Sequence, residues 1–221
     1  MKLLALDSSC ENISLCAANA DGILFNLNRR IRFGASQLIV YMQKYLKKIN
    51  KKINYFDALV VGSGPGSFTG LRISFSLIKA FSLATGIPVV SLSSFLSCAE
   101  QLKSKSHYIS VVTDARKDLL YRADFKIKNG LVKAKGRTRL VSLDKIENIS
   151  DTLFVTYDKH LRKQLPKLYP DIEFYPKDIY PKAYYLLAFA GERVKKKKFT
   201  SLDKLLPLYI HPKTCQIRKR G

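Results

Sequence analysis

Apolar and polar residues along the chain follow two patterns, short apolar runs and longer amphipathic segments. Short apolar runs bounded by turn residues are typical of buried strands, whereas apolar residues at every third or fourth position are typical of helices. Strands are predicted on this basis at residues 2–7, 13–18, 23–28, 57–61, 88–92, 108–113, 120–127, 131–141 and 152–157. Helices are predicted at residues 36–49, 73–85, 94–103, 159–165 and 181–197. Each half opens with antiparallel strands and continues with strands alternating with helices, which indicates an α/β fold.

The most distinctive unit is a strand, a glycine-rich loop and a helix in the first half of the chain. The loop reads GSGPGSFTGLR at residues 62–72, and so many glycines indicate positive φ angles or close backbone approach. Ser67 or Thr69 can cap the following helix, and Gly86 can end it. A helix N-terminus of this kind can hold phosphate, but the loop has neither the P-loop ending nor the dinucleotide glycine spacing. Phosphate contact, a structural turn and an interface loop stay open as alternatives.

The helix predicted after this loop has very few charges. Lys79 is the one charged residue between positions 73 and 85, although 25% of the chain is charged. A helix that is apolar nearly all round is buried on more than one face. It either lies inside the domain, or packs one face on its own sheet and the other on a partner subunit.

Composition adds a strong positive charge to this picture. The chain has 221 residues, of which 47% are hydrophobic, and its net charge is +22. Such a length and hydrophobic content suffice for a substantial core, and such a charge favours polyanions, RNA above all. The excess of lysine can equally reflect the amino-acid bias of the host. The candidate basic patches are residues 47–52, 195–198 and 218–220.

Several classes of protein are not expected. No apolar run reaches the length of about 18 residues that a membrane span needs, and Asp7 interrupts the N-terminal apolar run too early for a signal peptide. The cysteines have no paired spacing, which suits reduced thiols in the cytoplasm rather than a disulfide framework or zinc site. These cysteines are Cys10, Cys16, Cys98 and Cys215.

Candidate chemistry is sparse. Asp7, Ser8 and Ser9 end the first strand, where they can orient water, metal or phosphate or can simply cap a turn. Asp114 and Arg116 form an acid–base pair to which the sequence assigns no role. The histidines do not stand four residues apart, so a helical pair of metal ligands is not available, and no catalytic triad follows from the spacing. They are His107, His160 and His211.

Four segments together resemble the TsaB (YeaZ) family, the non-catalytic subunits of bacterial tRNA threonylcarbamoyladenosine synthesis. The segments are residues 4–9, 62–72, 114–121 and 206–209, and GPGSFTGLR at 64–72 is the most specific of them. The resemblance implies an actin-like ATPase (ASKHA) fold, an α/β architecture of two related halves, each with a mixed sheet and flanking helices. We divide these halves into residues 1–104 and 105–221, the first with the dimerisation helices and the second with a basic tail.

The resemblance also implies a scaffolding role. The chain is expected to pair with the transferase TsaD as a heterodimer, to help recruit the ATPase TsaE, to form a homodimer when alone, and to meet tRNA through the complex. No cofactor is required by the chain itself, although ATP or ADP at the complex interface is a candidate. The expected partner interface comprises Leu38, Met42, Tyr45, Phe68, Arg72, Phe75, Ile78, Lys79, Phe81 and Ser82. Candidate phosphate or nucleotide contacts are Asp7, Ser8, Ser9, Gly64, Gly66 and Ser67.

Three points separate this chain from its relatives. The catalytic paralogue binds metal through a His-x-x-x-His helix that this chain lacks, which argues against a glycoprotease-like peptidase. Many TsaB sequences carry a histidine-containing stretch where this chain reads RFGASQ at residues 32–37, and the tail at 218–220 extends past the matched region. The alternative to a scaffold is a nucleotide-dependent enzyme of the same fold that uses Asp7, Ser8, Ser9 and the 64–66 loop.

Overall fold

The computed structural model of the chain describes residues 1–30, 37–147 and 150–208. The stretch RFGASQ at 32–37, apart from its last residue, and the basic tail at 218–220 lie outside the described residues. His211 and Cys215 lie outside them as well. No helix within the described residues has the length and apolar character needed to cross a membrane.

The first sheet has five strands in the order β3-β2-β1-β4-β5. Central strand β1 pairs antiparallel with β2 and parallel with β4. Helices α1 and α2 cover one face of the sheet and α5 covers the other, so every residue of β1 and β4 is buried. The elements are β1 (Leu3–Asp7), β2 (Asn12–Ala18), β3 (Ile23–Arg30), β4 (Ala58–Gly62), β5 (Val89–Leu92), α1 (Leu38–Lys48), α2 (Phe68–Thr85) and α5 (Ala183–Lys195).

The second sheet repeats this arrangement. Its order is β10-β6-β7-β8, in which β6 pairs parallel with β10 and antiparallel with β7, as β1 does with β4 and β2. Helix α3 packs on one face and α4 on the other. The elements are β6 (Tyr108–Arg116), β7 (Leu119–Lys128), β8 (Leu131–Ala134), β9 (Arg139–Ser142), β10 (Thr152–Val155), α3 (Ser94–Gln101) and α4 (Lys159–Leu168). The predicted α/β class with two mixed sheets and flanking helices is confirmed.

Two predicted elements differ from the structure by more than three residues at a boundary or by a break. The strand predicted at 131–141 is wrong, because it is two strands, β8 and β9, which both pair with β7. Gly136 lies between them with a φ of +88°, a left-handed conformation that interrupts an extended strand. Helix α2 begins at Phe68 instead of residue 73, because the glycine loop is shorter than its sequence suggested.

The division at residue 104 stays a prediction. The strands of the two sheets fall on either side of it, but α5 comes from the second part and packs on the first sheet. Leu186, Leu187 and Ala190 of α5 join the core formed by Leu3 and Ala5 of β1. The first sheet is therefore completed by a helix from the C-terminal part of the chain.

Candidate interaction surface

The glycines of the 62–72 loop allow the loop after β1 to pack against it. A Cβ atom on Gly66 would lie 2.0 Å from the carbonyl oxygen of Ser9, and one on Gly70 would lie 1.9 Å from that of Ser8. Real Cβ atoms do not approach oxygen so closely, so both positions require glycine. Gly66 also has a φ of +153°, which other residues rarely adopt. The backbone of Ser8 and Ser9 thus occupies the space next to Gly66 and Gly70.

Hydrogen bonds join the same two loops and begin α2. The amide of Ser67 donates to the carbonyl of Ser9 over 2.6 Å, and the Ser8 hydroxyl donates to the carbonyl of Gly70 over 2.8 Å. The Ser67 hydroxyl accepts from the amide of Gly70 over 3.2 Å, so Ser67 is the N-cap, one of the two predicted candidates. Two amide groups that a phosphate would need at this helix end already bond to the chain.

Asp7 is a buried carboxyl at the bottom of this junction. Its Oδ1 accepts from the amide and the hydroxyl of Ser9, over 2.9 and 2.6 Å. Within the described residues its Oδ2 has no hydrogen bond of normal geometry, although the nearby Ser94 hydroxyl partly stabilises the charge. Burial raises the pKa of Asp7, and the bonds from Ser9 only partly oppose that shift. The geometry assigns Asp7 to the junction between loops.

The candidate phosphate contacts come together as predicted, but they do not form an open cradle. Asp7, Ser8, Ser9 and Gly64 are buried, Gly66 is half-buried, and Ser67 is exposed. The amide of Gly64 donates to the Ser94 hydroxyl over 3.0 Å. The β1 loop occupies the centre of the cluster, so these residues contact one another around it. Their contact with phosphate stays a prediction, as does a nucleotide at a complex interface.

We expect Asp7→Asn to make the chain more stable at pH 8 and to leave its stability unchanged near pH 3. A carboxyl whose folded pKa is raised stabilises the fold when protonated, and that contribution is lost as pH rises through the folded pKa. An amide keeps the acceptor for Ser9 and carries no charge. Thermal unfolding of both proteins from pH 3 to 8 measures the difference, and a variant less stable than the wild type at pH 8 would contradict this account.

Half of the predicted partner interface is buried inside the chain. Phe75, Ile78 and Ser82 face the first sheet from α2, and Leu38 and Met42 face the same core from α1. Their assignment to a partner contact is therefore wrong in this structure, because these side chains already lie in the core. A charged substitution at Ile78 would disrupt folding rather than test an interface.

The other face of α2 is exposed along its whole length. We define the α2 surface as Phe68, Arg72, Ser76, Ala80 and Leu83. Their spacing of three or four positions places them on one side of the helix. Leu83 is 74% exposed and Phe68 is 50% exposed. The Arg72 guanidinium lies 3.7 Å from the centre of the Phe68 ring, so the one charge of this surface covers an aromatic side chain.

Sequence reasoning identified part of this surface. Phe68 and Arg72 were predicted and are exposed. The predicted Lys79 and Phe81 are half-buried on α2, and the predicted Tyr45 is half-buried on α1. Ser76, Ala80 and Leu83 were missed. A helical wheel that starts at Ser67 would have found them, since they continue the spacing of Phe68 and Arg72. Ile39 and Val40 of α1 are exposed as well.

A half-open pocket of about 460 Å³, lined by charged and leucine side chains, lies in the second half of the chain. Residues that line it include Asp114, Arg116, Lys117, Asp118, Asp158 and His160. Asp114 accepts from the backbone amide of Arg116 over 2.7 Å, so this pair ties a turn. Asp158 caps α4 through the amides of His160 and Leu161. Within the described ranges, no group of three His, Cys, Asp or Glu side chains could hold a metal ion.

Comparisons with known proteins agree over most of the chain. The family model for TsaD, tRNA N6-adenosine threonylcarbamoyltransferase, matches residues 32–202. The tRNA threonylcarbamoyladenosine biosynthesis protein TsaB of Bacillus subtilis is 26% identical over 182 residues, 75% of this chain and 75% of its own. The TsaB protein of Buchnera aphidicola subsp. Baizongia pistaciae is 25% identical over 95% of this chain and 97% of its own.

A solved structure shows the same fold. YeaZ from Pseudomonas aeruginosa superposes with a TM-score of 0.81 at 21% identity, over 94% of this chain and 100% of that one. At this identity the likeness concerns the fold alone. It confirms that the two sheets and their helices form an arrangement already known in another protein.

Proposed function

This chain belongs to the TsaD family of tRNA N6-adenosine threonylcarbamoyltransferases, as a member of its TsaB (YeaZ) group, and on that premise we propose that it is a non-catalytic scaffold subunit. It has a role in threonylcarbamoyladenosine modification of tRNA. In this proposal it pairs with the transferase TsaD, helps recruit the ATPase TsaE, and forms a homodimer when alone. It acts in the cytoplasm and requires no cofactor of its own.

The α2 surface is the observation that carries this proposal. In a chain with a net charge of +22, five exposed positions along one helix include one charged residue, Arg72. An exposed leucine and phenylalanine on a continuous helix face lose unfavourable contact with water when a partner covers them. Small side chains at Ser76 and Ala80 let a partner helix approach closely. These features favour helix-to-helix pairing with TsaD or with a second copy.

The glycine loop supports a role without chemistry of its own. Its positions next to the β1 loop are filled by Ser8 and Ser9, and Asp7 is buried with a raised pKa. The nucleotide-dependent alternative requires those same groups to reach phosphate, and no contact of the described residues favours it. Saturable ATP hydrolysis by the isolated chain, lost in Asp7→Asn, would support that alternative.

The proposal predicts that Leu83→Glu weakens pairing with TsaD at least tenfold, and about a hundredfold if Leu83 is a central contact. A charged side chain there would have to be desolvated in the complex without a counterion. Leu83 is 74% exposed in the chain alone, so the fold should be unaffected. Light scattering of the mixture and calorimetric titration measure the complex and its Kd.

Leu168→Glu is the matched control. Leu168 lies on helix α4 on the second sheet and is 51% exposed, so this variant adds the same charge outside the α2 surface. We expect it to bind TsaD like the wild type. Normal pairing by a folded Leu83→Glu variant would show that the α2 surface is not the contact.

A further inference from the structure

The hairpin of β7 and β8 presents lysines to solvent on one face of the second sheet. Side chains alternate between the faces of a strand, and Phe125, Ile127 and Val132 are buried in the core on the other face. We define the lysine face as Lys126, Lys128, Lys133 and Lys135, all of them exposed. The Asn129–Gly130 turn, with φ angles of +54° and +71°, sets the register that aligns them.

The arrangement concentrates charge at a cost to the fold. Lys126 stands directly opposite Lys133, and like charges at directly opposed positions repel. None of the four lysines forms an ion pair within residues 1–30, 37–147 and 150–208. The carboxylate of Asp124, beside them on β7, is bound by Arg122 and Arg139. No acidic side chain of the described residues therefore neutralises the positive charge of this face by an ion pair.

An aromatic ring lies within the lysine face. Tyr108 on β6 is opposite Lys126 in the sheet, and its ring centre lies 5.4 Å from the Lys126 ammonium and 5.7 Å from that of Lys135. Tyr108 is half-buried, so part of the residue remains accessible to solvent. Lysines on an edge strand can also serve to prevent sheet-to-sheet aggregation. That role accounts for Lys133 on β8 but not for Lys126 on the interior strand β7, nor for the ring.

We propose that the lysine face and Tyr108 bind an unpaired segment of RNA. The ammonium groups hold backbone phosphates, and the tyrosine ring stacks against a base, a combination typical of single-stranded nucleic-acid sites on sheets. Charge complementarity favours a polyanion, and an aromatic ring beside two ammonium groups offers a stacking contact that a nucleobase can make and an acidic side chain cannot. The identity of this RNA as tRNA rests on the proposed function. The site differs from the lysine runs at 47–52 and 195–198, which are contiguous in sequence.

The test is a triple variant, Lys126→Gln with Lys133→Gln and Lys135→Gln. Its matched control, Lys195→Gln with Lys196→Gln and Lys198→Gln, removes the same charge from the candidate basic patch at 195–198, which lies at the end of α5 and just after it and is exposed. Fluorescence anisotropy measures binding of an unmodified tRNA transcript and of oligouridylate between about 50 and 200 mM salt, for the chain alone and mixed with TsaD. We expect the sheet variant to bind both probes about tenfold more weakly and its salt slope to fall by about 2.

A second variant tests the stacking contact. Tyr108→Leu should weaken oligouridylate binding severalfold while leaving the salt slope unchanged, because it removes a ring and no charge. The control triple variant should keep the wild-type slope within error. Polyglutamate should compete with the oligonucleotide poorly at equal charge.

Three results would overturn the inference. The first is a sheet variant that binds RNA with the affinity and salt slope of the wild type. The second is a wild-type chain that binds no RNA, either by itself or mixed with TsaD. The third is polyglutamate that competes for the site as well as RNA does. The last would identify an acidic protein as the partner. Pairing with TsaD is measured in the same samples. If the sheet variant pairs normally and its RNA affinity is unchanged, the lysine-face inference is rejected and the scaffold proposal is not. Lost pairing with retained RNA binding rejects the scaffold proposal instead.

Discussion

Gly70→Ala is expected to destabilise the chain by about 3 kcal/mol, even though alanine is the better helix former. Gly70 lies in the first turn of α2, where an added Cβ would stand 1.9 Å from the carbonyl oxygen of Ser8. That oxygen belongs to backbone, so either α2 or the β1 loop must move by more than 1 Å. The movement would also break the 2.8 Å bond from the Ser8 hydroxyl to the Gly70 carbonyl. Urea unfolding measures the loss.

Gly191→Ala provides the matched control on another helix. Gly191 lies in α5, and an added Cβ would meet the terminal methyl of Met1 at 2.8 Å. A flexible side chain can turn away, so we expect this variant to be as stable as the wild type or up to about 1 kcal/mol more stable. Equal effects of the two substitutions would show that the contact with Ser8 does not determine the stability of Gly70→Ala.

Asp124→Ala is expected to cost about 3–5 kcal/mol, the largest effect of any single substitution discussed for this chain. Asp124 accepts from Arg122 over 2.9 Å and from Arg139 over 2.7 Å, and the Ser110 hydroxyl donates to it as well. Arg122 is fully buried over the ring of Phe154, and its Nη2 already has no hydrogen-bond partner among the described residues. Without Asp124, the buried guanidinium of Arg122 would keep the Glu147 carbonyl as its one hydrogen-bond acceptor among the described residues.

Another arginine–aspartate pair, on a different part of the second half, allows a direct comparison. Arg162 and Asp178 are 2.6 Å apart but more exposed, so Asp178→Ala should cost about 1 kcal/mol or less. Comparable losses in the two variants would show that burial does not set the cost. Chemical unfolding at pH 7 measures both.

The contribution of Asp124 also depends on pH. Burial raises the pKa of this carboxyl, but the bonds from Ser110, Arg122 and Arg139 outweigh burial and hold the pKa below its usual range. A folded pKa below the unfolded one stabilises the fold above about pH 4, and this contribution is lost as pH falls through the folded pKa. The difference between wild type and Asp124→Ala should therefore narrow on acidification below pH 4.

The glycine block illustrates what a local pattern can and cannot predict. Its residues predicted a strand, a tight loop and a helix with a serine cap and a glycine end, and Ser67 and Gly86 take those positions. The sequence of the glycine block did not indicate which other segment of the chain packs against its glycines. They approach the backbone of Ser8 and Ser9, and the hydrogen bond between Ser8 and Gly70 joins residues 62 positions apart. Contacts at such a separation leave no periodic signal in the intervening chain.

The α2 surface and the lysine face were also only partly predictable from the sequence. The low charge of α2 was visible in the sequence, but its exposed side was not, because both sides are apolar and the neighbouring sheet decides which one is buried. The alternating lysines of β7 and β8 were likewise visible. Their alignment with each other and with Tyr108 depends on strand register and on pairing with β6.

The sequence by itself determined the α/β class, the two-part repeat and the kind of each element, because hydrophobic periodicity and turn residues act over a few neighbouring positions. The tertiary structure alone decided that the β1 loop fills the glycine block, that Leu83 rather than Ile78 faces solvent, and that Asp124 neutralises a buried arginine. Each of these depends on which segments pack together, since burial and partner groups are properties of the folded chain and not of a local stretch.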